Sequence, residues 1–262
     1  MLKNKTKIIL TYIILILTVY TAQISAAPEV RVMAAASLQE ALEEIKAEFE
    51  AKFAETELEI NYAGSQALFS QIKLGVDFDL FLSANYYYLD QLKKEGLIKN
   101  NKIFAKNELI IIINSAEKKV EDLGELLVND YSLLVGEESV PVGSYTIKMF
   151  NRYLNSIKDQ NQKNEIEKSF NSAVVSREFD VKSVLNKVRL GAADAGIVYL
   201  SDYNQDYDLH KVEIPKEYNI EASYYMGLSQ LAEPGSVKFY DYILNSAGQK
   251  ILRKYNFKAG EK

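Results

Sequence analysis

The chain has 262 residues, with 31 Lys+Arg against 36 Asp+Glu, a formal net charge of −5, one histidine and no cysteine. The acidic balance and the lack of a basic block argue against nucleic acid and anionic membrane surfaces as partners. Without cysteine there are no disulfides, no thiolate metal site, no cysteine nucleophile and no cysteine to carry a lipid anchor.

Residues 1–27 read as an export signal. Lys3, Lys5 and Lys7 form a basic start, an apolar run follows over 8–20, and Ala22, Ser25, Ala26 and Ala27 offer small residues for cleavage after Ala26 or Ala27. The run is shorter than the ~20 apolar residues of a spanning helix, so direct membrane insertion after cleavage is not expected. An exported protein with no lipid tether belongs in a periplasm.

From residue 30 onward, strands feed helices through short turns. The stretch Val30-Arg31-Val32-Met33-Ala34-Ala35-Ala36 predicts a strand. A helix follows, with Leu38, Ala41, Leu42, Ile45 and Phe49 on one face and Ser37 placed as its N-cap. A second strand over 57–62 ends in Ala63-Gly64-Ser65. It leads to a helix carrying Ala67, Leu68, Ile72 and Leu74 and closed by Gly75, so Ser65 is also expected at a cap. Next come a strand over 79–84 and a helix over 87–95 closed by Gly96. The unbroken run Leu109-Ile110-Ile111-Ile112-Ile113 then reads as a strand buried on both faces.

A short helix is expected over 123–127, a strand over 132–136, a Pro/Gly loop over 140–145 and a helix over 146–154. Polar residues 155–168 read as a linking turn and surface helix, and 172–176 as a strand. Asp180 is a plausible N-cap for a helix carrying Val184, Leu185 and Val188. Strands over 194–199, 212–215 and 222–228 and helices over 237–244 and 248–255 complete the chain. This alternation means an α/β fold with mostly parallel sheets and helices on both faces, with a ligand beyond the carboxyl ends of the strands. The start of a helix fed by a strand has unpaired amides and a partial positive charge, which suits an anion. Ser37, Ser65, the Val142-Gly143-Ser144 turn and Asp180-Val181 all lie at such starts. Any α/β chain has several, so on their own they give only a generic expectation of a ligand site.

Other chemistries find little support. His210 sits in a polar stretch and reads as a surface residue. Ser70-Gln71-Ile72-Lys73 matches the Ser-x-x-Lys of some hydrolases, but the companion motifs are missing. The adjacent tyrosines Tyr224-Tyr225 could hold ferric iron, or could simply pack in a strand. No glycine-rich nucleotide loop, metalloprotease motif or Cys/His cluster is present.

Taken as an ordered set, several short blocks resemble the periplasmic molybdate-binding proteins of bacterial ABC importers, of the type II periplasmic-binding class. They are Ala34-Ala35-Ala36-Ser37-Leu38, Gly64-Ser65 with Leu68-Phe69-Ser70-Gln71-Ile72, and Gly75 with Asp79-Leu80-Phe81-Leu82-Ser83-Ala84. Further along come Val140-Pro141-Val142-Gly143-Ser144-Tyr145, Asp180-Val181, Gly196-Ile197-Val198-Tyr199-Leu200-Ser201-Asp202, and the closing segments 239–244 and 251–257. The chain departs from that pattern at Ser223-Tyr224, where the family has Tyr-Pro, and at Glu137-Glu138, where it has an acidic residue and proline.

The resemblance implies a two-lobed fold, each lobe a mostly parallel sheet flanked by helices, with the ligand in the interlobe cleft. Residues 28–107 and 203–262 would form one lobe and 108–202 the other, with hinges near 106–109 and 201–203. It implies no catalysis and no cofactor. The ligand would be molybdate, and tungstate as well, held by the hydroxyls of Ser37, Ser65 and Tyr199 and the main-chain amides of Val142 and Val181. The chain would act as a monomer and deliver the ion to an ABC permease. Sulfate or ferric iron as ligand, and a Ser70/Lys73 hydrolase, are the alternatives.

Overall fold

The computed structural model describes residues 29–114, 120–129 and 131–260. The expected export signal over 1–27 lies outside them.

The chain opens with β1 (Glu29–Ala35), a 3-10 turn (Ala36–Leu38) and α1 (Gln39–Lys52). β2 (Glu57–Ala63), α2 (Ser65–Lys73), β3 (Leu80–Ser83) and α3 (Tyr86–Lys94) follow. β4 (Ile98–Ile113) is the longest strand, and after it come α4 (Leu123–Val128), β5 (Leu133–Gly136), α5 (Pro141–Ser156) and α6 (Gln160–Ala173). β6 (Val174–Glu178), α7 (Val181–Arg189), β7 (Ala195–Tyr199) and a 3-10 turn (Leu200–Asp202) lead into β8 (His210–Glu213). β9 (Glu221–Ser229), α8 (Pro234–Leu244), α9 (Ser246–Lys254) and β10 (Lys258–Ala259) end the described chain.

The strands make two sheets joined through β4. The first runs β2-β1-β3-β9-β4 with β10 beyond, and the second runs β6-β5-β7-β4 with β8 also on β4. Residues 98–108 of β4 pair with β9, and from Leu109 onward the same strand pairs with β7 and β8. The aliphatic run 109–113 is therefore a central strand of the second sheet, and all five residues are buried. This is the two-lobed α/β architecture that the resemblance implies.

Each sheet is mixed rather than mostly parallel. β1 pairs in parallel with β2 and β3, and β5 with β6 and β7; every pairing that involves β4 or β9 is antiparallel. Parallel neighbours need a helical crossover on their own sheet. β4 instead runs straight through both sheets, and the chain returns to the first sheet through a segment without a helix that leads into β9.

The expected lobe boundary at 202/203 also shifts. β8 stays with the second sheet, its residues His210 to Glu213 opposite Ile113 to Ile110, so the return crossing falls over 214–220. Three of its four residues are not buried, and so short an edge strand leaves no alternation to read. Asn219 ties this crossing to the other one: its Oδ1 accepts the Leu109 amide (3.1 Å) and its Nδ2 donates to the Leu109 carbonyl (2.8 Å).

The first part of β4 was also hidden from sequence pattern. Its Lys99-Asn100-Asn101-Lys102 stretch carries register shifts against β9, and Asn100 has a φ of 51°. A bulge of this kind breaks period-2 alternation. α1, by contrast, buries Ala41, Leu42, Ile45 and Phe49, as its 3.6-residue pattern requires. Pro141, expected in a loop, is the first residue of α5, where a missing N–H costs nothing.

Candidate functional site

The carboxyl ends of all six parallel-paired strands point to one place between the sheets. β1 delivers Ala35, Ala36 and Ser37; β2 delivers Ala63, Gly64 and Ser65; β3 delivers Ala84. From the second sheet, β5 leads to Val140, Pro141 and Val142, β6 to Asp180 and Val181, and β7 ends at Tyr199. These residues line a single cavity, and Ser37, Ser65, Val142, Val181 and Tyr199 are all among them. The space it leaves for the centre of a water-sized sphere is about 20 Å³, against the ~10–15 Å³ that one water needs.

The serines do not act as caps. Neither helix start has a side-chain cap bond, and Gly64, not Ser65, occupies the N-cap of α2. Ser65 Oγ accepts the Ala84 amide (3.1 Å), and Ser37 Oγ lies 2.8 Å from Tyr224 Oη. Each hydroxyl faces the cavity wall and so cannot fold back over its own helix. Because Ser65 already accepts from a main-chain N–H, its proton is left to point elsewhere. Asp180 does cap α7: its two carboxylate oxygens accept from Ser183 N and Ser183 Oγ, both at 2.8 Å. Its charge is thus engaged by the helix, although the residue lines the cavity.

The wall is rich in donors. Val142 is the second residue of α5 and Val181 the first of α7, positions whose amides have no partner within the helix. Tyr199 is 1% exposed, and its Oη has no hydrogen-bond partner. Burial raises the Tyr199 pKa well above its ordinary value, with Tyr224 and Tyr145 adding to the shift, so the phenol keeps its proton. No Lys, Arg or His lines the cavity.

Three contacts close the sheets over it. Gln66 Nε2 donates to the Phe179 carbonyl (2.6 Å) and Tyr88 Oη to the Ser139 carbonyl (2.5 Å). Lys182, beside Val181, bridges Glu40 of α1 (2.6 Å) and the buried Asp202 (2.9 Å). Burial alone would lower the Lys182 pKa, but the carboxylates of Asp202 and Glu40 reverse this and leave it raised. The approach at Gly64 is close enough that a Cβ there would lie 2.5 Å from the Phe179 carbonyl oxygen.

The alternative sites do not assemble. Ser70 Oγ donates to the Gln66 carbonyl (2.9 Å), while Lys73 is ion-paired with Glu95. Tyr224 and Tyr225 are successive residues of β9 and project to opposite faces, into different core clusters, so they cannot share an iron ion. His210 is exposed on β8, and no group of three or more His, Cys, Asp or Glu able to hold a metal occurs among the described residues. Sequence reasoning missed Asn107, Gln66 and the part played by Tyr224. Buried Asn107 lies in the bulged half of β4, where no pattern marks it.

Comparison with known proteins gives a consistent picture. The family model for bacterial extracellular solute-binding proteins matches residues 30–258. The molybdate-binding protein ModA of Mycobacterium tuberculosis H37Rv is 30% identical over 231 residues, covering 86% of this chain and 83% of that protein. The substrate-binding domain of a putative molybdenum ABC transporter from Clostridium difficile superposes with a TM-score of 0.67 at 29% identity, over 89% of this chain and 99% of that one. The sulfate-binding protein SubI of M. tuberculosis shares the fold, with a TM-score of 0.74 at 13% identity over 88% of this chain and 87% of that one.

Proposed function

Since the chain belongs to the bacterial extracellular solute-binding protein family, whose members bind solutes and are not enzymes, we propose that its solute is molybdate. The observation that carries this is Tyr199 Oη: a buried, unpaired donor on the wall of a small cavity lined by no Lys, Arg or His. A buried hydroxyl with no partner costs roughly 1–3 kcal/mol, which a ligand oxygen would recover.

The chemistry fits a compact tetrahedral dianion. Hydroxyls of Ser37, Ser65 and Tyr199 and amides of Val142 and Val181 supply donors without a formal positive charge. Helix starts spread the anion's charge, and each charge-assisted hydrogen bond stabilises it by about 1.5–3 kcal/mol. Apart from Asp180, whose carboxylate oxygens already accept from Ser183, the polar groups of the wall are donors, which disfavours a protonated oxyanion, whose own O–H needs an acceptor. The sequence resemblance and the M. tuberculosis relative point to molybdate within this class, and tungstate, alike in shape and charge, is expected to bind too. On this reading the protein is exported and hands the ion to an ABC permease.

Calorimetry on variants tests the site. Ser65→Ala and Ser37→Ala should each weaken molybdate binding by roughly tenfold or more, the loss of one charge-assisted bond. Lys73→Ala, whose ammonium is paired with Glu95 away from the cavity, should bind like the unaltered protein. Equal affinity in all three would remove the assignment.

A further inference from the structure

Tyr224 does not line the cavity, yet it is fully buried and its hydroxyl reaches Ser37, which does. What stands behind it decides which way the protons run. Asn107 Oδ1 accepts the Glu108 amide (2.9 Å), and a main-chain N–H can only donate, so the Asn107 amide orientation is fixed. Its Nδ2 therefore faces inward, donating to Ser201 Oγ (2.8 Å) and reaching Tyr224 Oη (3.5 Å). Tyr224 Oη thus meets a donor on one side, and its proton has Ser37 Oγ, at 2.8 Å, as its acceptor. The opposite arrangement, with Ser37 donating, would aim the buried phenol proton at an N–H. Ser37, once it accepts from Tyr224, has its own proton left for the cavity.

We propose that Tyr224, backed by Asn107, is a positioning residue that locks the Ser37 hydroxyl as a donor toward the ligand and so makes the site reject protonated oxyanions. This rests on the oxyanion reading above. Ser65 is held in the same sense by the Ala84 amide, but that lock is main chain, whereas the lock on Ser37 is one removable hydroxyl. Burial holds the Tyr224 pKa well above its ordinary value, with Asp202 adding to the rise, so the phenol does not lose its proton in the ordinary pH range. Asn107 also bonds Ser201, in the turn directly after Tyr199. One side-chain amide therefore braces the supports of two cavity hydroxyls at the point where β4 passes from one sheet to the other.

Sulfate and hydrogenphosphate are the probes, because they match in size and shape and differ by a proton. In titrations at neutral pH the unaltered protein should bind molybdate and favour sulfate over hydrogenphosphate by at least 100-fold. Tyr224→Phe frees the Ser37 hydroxyl to turn and accept, so the sulfate-to-phosphate ratio should fall at least tenfold, with a loss of molybdate affinity. Asn107→Ala, which removes the donor behind the phenol, should shift the ratio the same way and serves if Tyr224→Phe does not fold. In a Ser37→Ala background the Tyr224 change should leave the ratio where it is, since Tyr224 acts through Ser37. Variants that fold, bind molybdate and keep the parental ratio would overturn the orienting role while leaving the oxyanion site intact. An unaltered protein that binds no oxyanion would overturn the reading beneath it.

Discussion

Tyr199→Phe is expected to weaken molybdate binding by roughly 10- to 150-fold while leaving the ligand-free protein at least as stable as before. The two effects follow from one atom. Tyr199 Oη is buried and has no partner, so in the free protein it contributes only the cost of a desolvated hydroxyl, roughly 1–3 kcal/mol. Phenylalanine keeps the ring, including its edge-on contacts with Tyr145 and Tyr224 at 6.4 and 5.9 Å between centroids, and removes that cost. The bound state loses a donor to an anion, about 1.5–3 kcal/mol. Thermal unfolding with and without molybdate separates the terms. The ligand-free Tm should hold or rise, and the molybdate-induced rise should shrink, because the shift follows the ratio of ligand concentration to Kd. A lower ligand-free Tm with unchanged affinity would mean that the hydroxyl has a structural partner and no ligand role.

Gly143→Ala should instead damage both fold and binding. Within a helix, alanine in place of glycine ordinarily stabilises by about 1 kcal/mol. Here the added Cβ would stand 2.0 Å from the Glu137 carbonyl oxygen and 2.4 Å from that of Gly136. Both are backbone atoms at the end of β5, so α5 must move away from the sheet. Overpacking of this kind costs about 1–3 kcal/mol, which lowers Tm by ~2–4 °C per kcal/mol in a chain of this size. The displaced segment carries the Val142 amide, so molybdate affinity should fall at least tenfold. Unfolding and titration on the same sample check both parts, and an alanine variant with raised Tm and intact affinity would refute the close-approach argument.

How much of this was legible beforehand depends on which atoms do the work. Where side chains pack, the pattern spoke clearly: the α1 face and the 109–113 run lie where periodicity and β-branching put them. Where the main chain acts, it did not. Val142 and Val181 are ordinary apolar residues whose only marked feature is an amide at a helix start, and only the family resemblance points to them, as it does to Tyr199. The position of Ser37 suits a cap; what turns it away is Tyr224, 187 residues further along the chain, a contact no local rule contains. The same limit hid the crossing over 214–220 and the bulged half of β4, both set by pairing with distant strands.

The central claim is that hydroxyl and main-chain donors with no positive charge, beside an Asp180 carboxylate engaged by Ser183, select a fully ionised, compact oxyanion. Titration calorimetry of the unaltered protein with molybdate, sulfate and hydrogenphosphate at neutral pH tests it most directly. The expected result is one molybdate per chain as the tightest ligand, with sulfate weaker and hydrogenphosphate undetectable. Hydrogenphosphate binding as tightly as molybdate, or sulfate binding while molybdate does not, would contradict it.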